Sequence, residues 1–169
     1  MKKIILLAAL FFGLSSTAFA QQKIGHINAD ELLALMPETK AAQTQLEQYS
    51  ERLQKDLTEM ENELTKKIEE FRRNEQMMTT STREIKTKEL QELQGRIQQF
   101  SQSAQQELQA KQVELLQPVI DKASKAIADV AREKGFAYIL DSSESKAVVV
   151  FAEGGEDIMP LVKAKLGIQ

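Results

Sequence analysis

The chemistry open to this chain is limited first by its histidine count, which is one, and its cysteine count, which is zero. A zinc site needs several Cys, His or carboxylate ligands at set spacing, and His26 alone does not begin one. A serine nucleophile would have to borrow His26 as its base, and no G-x-S-x-G turn is available to expose such a serine. Neither a P-loop nor a G-x-G-x-x-G fingerprint occurs. Gly154-Gly155 reads as the end of a strand-like run, not as a phosphate cradle. The 25 Asp and Glu residues fall mostly within helical patterns, where carboxylates form a solvated face. His26 itself alternates with Gly25 and Ile27 and reads as a sheet residue. No catalytic residue, metal site or cofactor is expected.

The first twenty residues are a separate matter. Lys2 and Lys3, the apolar run Ile4–Leu14 and Ala18-Phe19-Ala20 ahead of Gln21 have the anatomy of a cleaved secretory signal peptide. The run is shorter than the roughly 20 residues a spanning helix needs, and no cysteine follows the cleavage point to carry a lipid. Cleavage after Ala20 would leave 149 residues and move the net charge from −3 to −5. Aromatic residues make up only 5% of the chain and tryptophan is absent. Few large side chains remain for a globular core, which suits a coiled coil. The acidic balance argues against a nucleic-acid partner, since such binders are basic.

About half the chain, Lys40–Gln117, lacks proline and has Gly95 as its only glycine. Leu46, Leu53, Leu57, Met60, Leu64, Ile68 and Phe71 recur mostly at spacings of three or four, the period of a helix face. After the polar Met77–Arg83 the pattern resumes as Leu90, Leu93, Ile97, Phe100, Ala104, Leu108 and Leu115. The numbers of Leu46 and Leu115, Leu53 and Leu108, Leu57 and Ala104, Leu64 and Ile97, Ile68 and Leu93, and Phe71 and Leu90 each add to 161. A chain folded back near Thr80–Ser81 would set these pairs at matching heights. Ser81 and Glu84 have capping-box spacing for the returning helix, which places the turn at about Thr79–Ser81. Leu46, Leu57 and Ile68 are eleven apart, as are Leu93, Ala104 and Leu115. That repeat gives about 3.67 residues per turn and a nearly straight hairpin.

The chain ends have another texture. Lys23–Asn28 passes as a strand, and Asn28 with Glu31 has capping-box spacing ahead of a short helix that Pro37 interrupts. Pro118 is expected to break or kink the second arm at its base, and Pro37, Pro118 and Gly95 are candidate flexure points. An amphipathic helix then runs to Lys134, with Gly135 as a left-handed cap. Phe136–Leu140 and Ala147–Phe151 read as strands joined by a loop, and Glu156–Leu166 reads as a closing helix with Pro160 in its first turn. The expected fold is α+β: a long antiparallel helical coiled-coil hairpin protruding from a small β-containing oligomerisation body formed by both chain ends. Its divisions are the signal peptide 1–20, the body parts 21–39 and 118–169, and the arm 40–117. So small a body is marginal alone, and the apolar run Val148–Phe151 implies a sheet covered on both faces. Assembly through Ile24, Ile27, Phe136, Tyr138, Val148, Val149, Val150 and Phe151 would supply the cover.

Lys23–Leu33 (KIGHINADELL), Lys134–Ser142 (KGFAYILDS) and Val148–Val150, set around a long hairpin and behind an A-x-A signal, resemble the Skp/OmpH family of periplasmic chaperones of outer-membrane proteins. The resemblance spans essentially all of Lys23–Gln169. It implies a homotrimer whose sheets form a central body and whose arms enclose unfolded β-barrel precursors, with no enzymatic activity and no cofactor. The best-known members are strongly basic, whereas this chain has a pI near 5.4. Arg72–Lys88 still carries five bases against two acids, while Asp30–Glu61 carries eight acids against three bases. Contact of the basic tip with lipopolysaccharide or a membrane is left open.

A non-catalytic holdase would contact clients through apolar positions off the seam, namely Tyr49, Met77, Met78, Ile85, Val113 and Leu116. Met77 and Met78 would equally serve to close the tip. The rival is a structural envelope scaffold or spacer whose arms bridge partners.

Overall fold

A computed structural model describes residues 22–147, 149, 151 and 154–168. The expected signal peptide, Val148 and Val150 lie outside the described residues.

Strand β1, Ile24–Ile27, leads directly into helix α1, Ala29–Leu35. Asn28 caps α1 as its spacing with Glu31 predicts: its side-chain oxygen accepts from the Glu31 amide at 3.0 Å. Met36 is extended (φ −73°, ψ 127°), the conformation favoured before a proline. Pro37 then opens helix α2, Pro37–Asn74, where its missing N–H costs nothing. At about 1.5 Å per residue, the 38 residues of α2 reach about 57 Å.

The tip is a short 3-10 turn, Glu75–Met77, followed by the extended Met78. Helix α3, Thr80–Lys134, returns. Its cap corrects the expectation placed on Ser81. Thr79 is the extended N-cap, and its hydroxyl accepts from the Thr82 amide at 3.2 Å, leaving Ser81 inside the first turn. Thr79 and Ser81 both head a hydroxyl-rich run, and the backbone chose the earlier residue. The expected break at Pro118 is also absent, because α3 runs through it without interruption. Pro118 deprives the Glu114 carbonyl of its helical donor, but both residues are exposed and water can satisfy that carbonyl. Gly135 ends α3 in the left-handed conformation (φ 70°), as expected.

The two arms pair in the anticipated register. Leu46 and Leu115 line one cavity, Leu53, Leu57, Ala104 and Leu108 a second, and Phe71 and Leu90 a third. Two helices cover each other on one side only, so the seam residues remain half-buried. Only Leu93 among them is sealed, at 2% exposure.

The body is a three-stranded sheet in the order β2-β1-β3, with β2 at Tyr138–Asp141 and β3 at Glu156–Asp157. Both neighbours run parallel to β1. The described residues of Ala147–Phe151 do not form the strand expected there. Ala147 lies in a turn, Val149 and Phe151 belong to no strand, and the open edge of β1 is taken by β3, with the Ile158 amide donating to the His26 carbonyl at 3.0 Å. An apolar run signals only that residues would fit a covered pleated surface; which backbone pairs is decided by the edge on offer. Helix α4, Met159–Leu166, closes the fold with Pro160 in its first turn. It starts three residues later than expected, since Glu156 and Asp157 are spent on β3.

One face of the sheet packs on the base of α3 and on α4. Ile27, Leu32, Met36, Val130, Ile158 and Val162 are sealed there, together with the small Ala123 and Ala126 that let the helix approach. Gly25 faces the same core, and a Cβ on it would lie 2.8 Å from Ile139, 3.0 Å from Phe136 and 3.1 Å from Ile158. Gly95, on the stalk, has open space around it. The same substitution should therefore act with opposite sign at the two sites, as read by urea unfolding. Gly25→Ala should cost about 1–3 kcal/mol by overpacking, whereas Gly95→Ala should gain about 0.8–1 kcal/mol of helix propensity.

Candidate functional site: the arm surfaces and the open sheet face

Two surfaces of this fold are apolar and uncovered. The first is on the arms. Met77 at the tip is 79% exposed, and Ile85 and Val113 are also largely exposed. Met78 is half-buried and lines a small cavity at the tip beside Phe71 and Leu90. Leu116 is half-buried at the arm base, where it lines a larger cavity with Leu46 and Leu115. Tyr49 has a different employment: its phenol donates to the Glu107 carboxylate at 2.8 Å and so straps one arm to the other. That bond, with burial and the charge of Glu107 behind it, raises the Tyr49 pKa.

The second surface is the far face of the sheet. Side chains alternate along a strand, so while Gly25, Ile27 and Ile139 point to the core, Ile24, His26, Tyr138 and Leu140 point away. Ile24 pairs with Tyr138 and His26 with Leu140. Ile24, Tyr138 and Leu140 are between 40% and 59% exposed, and Phe151 is exposed nearby in the chain. Of the residues expected to serve assembly, Ile27 belongs instead to the protomer's own core. Phe136 is half-buried beneath the Lys23 ammonium, which lies 4.0 Å from its ring centre. Val149 is half-buried. Leu140 was not among the expected residues, although the alternation of Tyr138 and Leu140 about Ile139 carried the signal. His26 occupies the sheet position foreseen for it, against Gly155.

The arms are seated on this sheet by a polar latch. The Asp141 carboxylate, at the end of β2, accepts from the Ala29 amide at 3.3 Å, from the Ser143 amide at 3.0 Å and from the Ser143 hydroxyl. Ser143 is itself buried, accepts from the Asp30 amide at 3.2 Å and reaches Asn28. The end of β2 thus supplies acceptors to the free N–H groups of α1, where negative charge is favoured. Beyond α1, Glu38 at the start of α2 pairs with Lys122 on α3 and closes the arm base. That bond holds the Glu38 carboxyl below its ordinary range. Among the described residues no helix is long and apolar enough to cross a membrane.

A family model described as outer membrane protein (OmpH-like) matches residues 23–166. The chain belongs to that family. The resemblance carried by its two ends is borne out. Over 160 residues it is 26% identical to the chaperone protein Skp of Photorhabdus luminescens, covering 94% of each chain. Its identity to the chaperone protein Skp of Yersinia enterocolitica is 24% over 159 residues, again with 94% of each chain covered. A crystal structure of an OmpH-like protein from Caulobacter crescentus superimposes with a TM-score of 0.73 at 19% identity, covering 86% of this chain and 83% of that one. The last likeness establishes the fold: long helices on a small sheet.

Burial pushes the Asp141 carboxyl up, but the Ser143 and Ala29 hydrogen bonds and the Lys146 charge outweigh it and hold the group below its ordinary range. A carboxyl depressed on folding stabilises the fold above its unfolded pKa of about 3.9, and that contribution is lost as pH falls through the lower folded value. Asp141→Asn should therefore lower the urea midpoint at pH 7, and the gap from the parent should narrow below about pH 4. A gap that stays constant down to pH 2 would mean that charge plays no part in the latch.

Proposed function

We propose that the chain is a periplasmic holdase that binds unfolded outer-membrane β-barrel proteins and prevents their aggregation in transit. The observation that carries this reading is the set of apolar side chains left exposed along the stalk, off the seam that joins its arms. Unfolded β-barrel chains expose apolar surface and unpaired strand edges, both prone to aggregate. A protruding stalk with scattered apolar contacts can occupy that surface without reading a sequence. Methionine suits the task because its unbranched thioether adapts to varied partners, and Met77 stands at the free end of the arm. Family membership and the two Skp chaperone relatives support the same reading, and the signal-like N-terminus supports the compartment. Binding needs no reaction, so the chain acts without catalysis or cofactor.

The working form is a homotrimer assembled through the open sheet face. Parallel sheets are found with both faces covered, whereas here α3 and α4 cover only one. A second and third copy placed over Ile24, Tyr138, Leu140 and Phe151 would bury the other and leave the stalks to stand around a shared space.

Dilution of a denatured β-barrel protein into the mature chain at one trimer per client should suppress light scattering. A variant with Met77, Ile85 and Val113 changed to Ser should suppress it several-fold less while keeping its helicity; unchanged scattering with the parent protein would favour a spacer that bridges folded partners. In sedimentation equilibrium the parent should be trimeric, and the double change Tyr138→Asp with Leu140→Asp should yield monomer. An intact oligomer in that variant would remove the sheet face from the interface.

A further inference from the structure

Histidine is the side chain whose ordinary charge change falls between pH 5 and 8, and this chain has one, His26. It stands on the open sheet face. Because β1 is the central strand, His26 has a neighbour in register on either side, Leu140 on β2 and Asp157 on β3. Ile24 lies two residues back on the same face, beside Tyr138. Ile24, Tyr138 and Leu140 are exposed, while His26 is half-buried. These four side chains form one patch, so a body seated on the first three also closes over the imidazole.

The local fold holds His26 there. Its strand is paired along both edges, and its carbonyl accepts from the Ile158 amide at 3.0 Å. Gly155 leaves the ring its room, since a Cβ at that position would lie 3.0 Å from the imidazole Cδ2. Turning His26 to the core would need a one-residue slip that puts Ile27 in water. Around the ring, β2 offers the Tyr138 phenol and the apolar Leu140, and the turn ahead of β3 offers Gly154 and Gly155. On β3, Asp157 is exposed and its carboxylate accepts from the Met159 amide at 2.9 Å. Glu156 has the opposite parity and is paired with Lys23. Asp141 also has the opposite parity and is occupied in the latch. One carboxylate therefore neighbours the imidazole, at the wet rim of the patch.

We infer that His26 makes assembly through the open face sensitive to pH: the neutral imidazole is accepted beneath a neighbouring copy and the imidazolium is not, so mild acid separates the protomers. The inference adds regulation to the trimer reading and rests on it. In a separate protomer a protonated His26 keeps water on its open side and the Asp157 charge beside it. Beneath the apolar surface of another copy it loses that water, and burial disfavours the charged form. The separated state then binds more protons than the assembled one. By linkage, association has its full strength above the imidazole range and weakens as pH falls through it. Ordinary carboxylates titrate near pH 4, below that window. With an ordinary histidine value of about 6.5, going from pH 7.5 to 5.5 disfavours assembly about tenfold for each protomer that must shed its proton. Three protomers raise the trimer dissociation constant about a thousandfold, and the concentration of half-dissociation about thirtyfold.

The test uses the mature chain made without a histidine tag. Sedimentation equilibrium at pH 7.5 and 5.5 should show the rise of about thirtyfold. His26→Gln, neutral at both pH values, should be equally assembled at both. NMR of the imidazole Cε1–H follows the single histidine in the unaltered protein, and its titration midpoint should fall as protein concentration rises. Should the glutamine variant not assemble, that concentration dependence decides alone. Equal dissociation constants at the two pH values, acid separation that persists in His26→Gln, or a midpoint that ignores concentration would each overturn the switch and leave the trimer in place. Tighter association in acid would overturn it as well, because His26 would then be paired with a carboxylate inside the interface. A parent that is monomeric at pH 7.5 would remove the trimer reading and the switch together.

Discussion

The molecule depends on the backbone pairing of four residues. Ile24–Ile27 is the central strand of the sheet, and each of its edges is taken by a segment from the far end of the chain. Because β2 runs parallel to it, the connection between them has to leave one end of the sheet and return to the other, which a tight turn cannot do. In most folds a single helix makes that journey. Here the crossover has been drawn out into α1, α2 and α3, so the whole stalk is an elongated βαβ connection rooted in one sheet at both ends. Lys23 strengthens the root with an ion pair to Glu156 of β3 at 2.8 Å and with its ammonium over the ring of Phe136, which lies just ahead of β2.

The stalk obeys a second constraint. Two helices in contact bury one stripe each, so side chains that a third helix would seal stay half-wet. The arm is therefore held by many modest contacts, with Leu93 as the one sealed residue among its paired seam positions, and by polar straps such as Tyr49 with Glu107. Such a structure keeps apolar surface within reach of a partner without presenting one large sticky patch, and it tolerates solvent on every side. The body makes the opposite choice. Its core is small, apolar and crowded about Gly25, and three exposed apolar residues, Ile24, Tyr138 and Leu140, share the open face of its sheet.

The stalk was readable from the sequence because helical periodicity is a local property repeated many times. Twelve apolar positions agreed on one mirror, and pairs such as Leu46 with Leu115 and Leu57 with Ala104 meet where that mirror placed them. Caps written in adjacent residues, Asn28 and Gly135, were equally plain. What misled was competition that no local pattern expresses. Thr79 and Ser81 were both able to cap; Pro118 breaks helices in general but sat on an exposed face; and the valine-rich run outscored Glu156-Asp157 as a strand although the latter holds the edge of β1. The open face of the sheet was half legible. Ile24 and Tyr138 stand on the open face, whereas Ile27, one strand position away in parity, was drawn into the core.

The parallel pairing also sets the order in which the chain acquires its shape. The partners of β1 lie more than a hundred residues downstream, so the contact order of the body is high while that of the hairpin near its tip is low. Closing a long loop costs entropy before any strand pair rewards it. Zipping the arms from Thr79 toward the base brings the two ends together and removes most of that cost. The stalk thus acts as an internal folding jig for the sheet, and β1 has to remain unpaired until the whole stalk and then Tyr138–Asp141 have followed it.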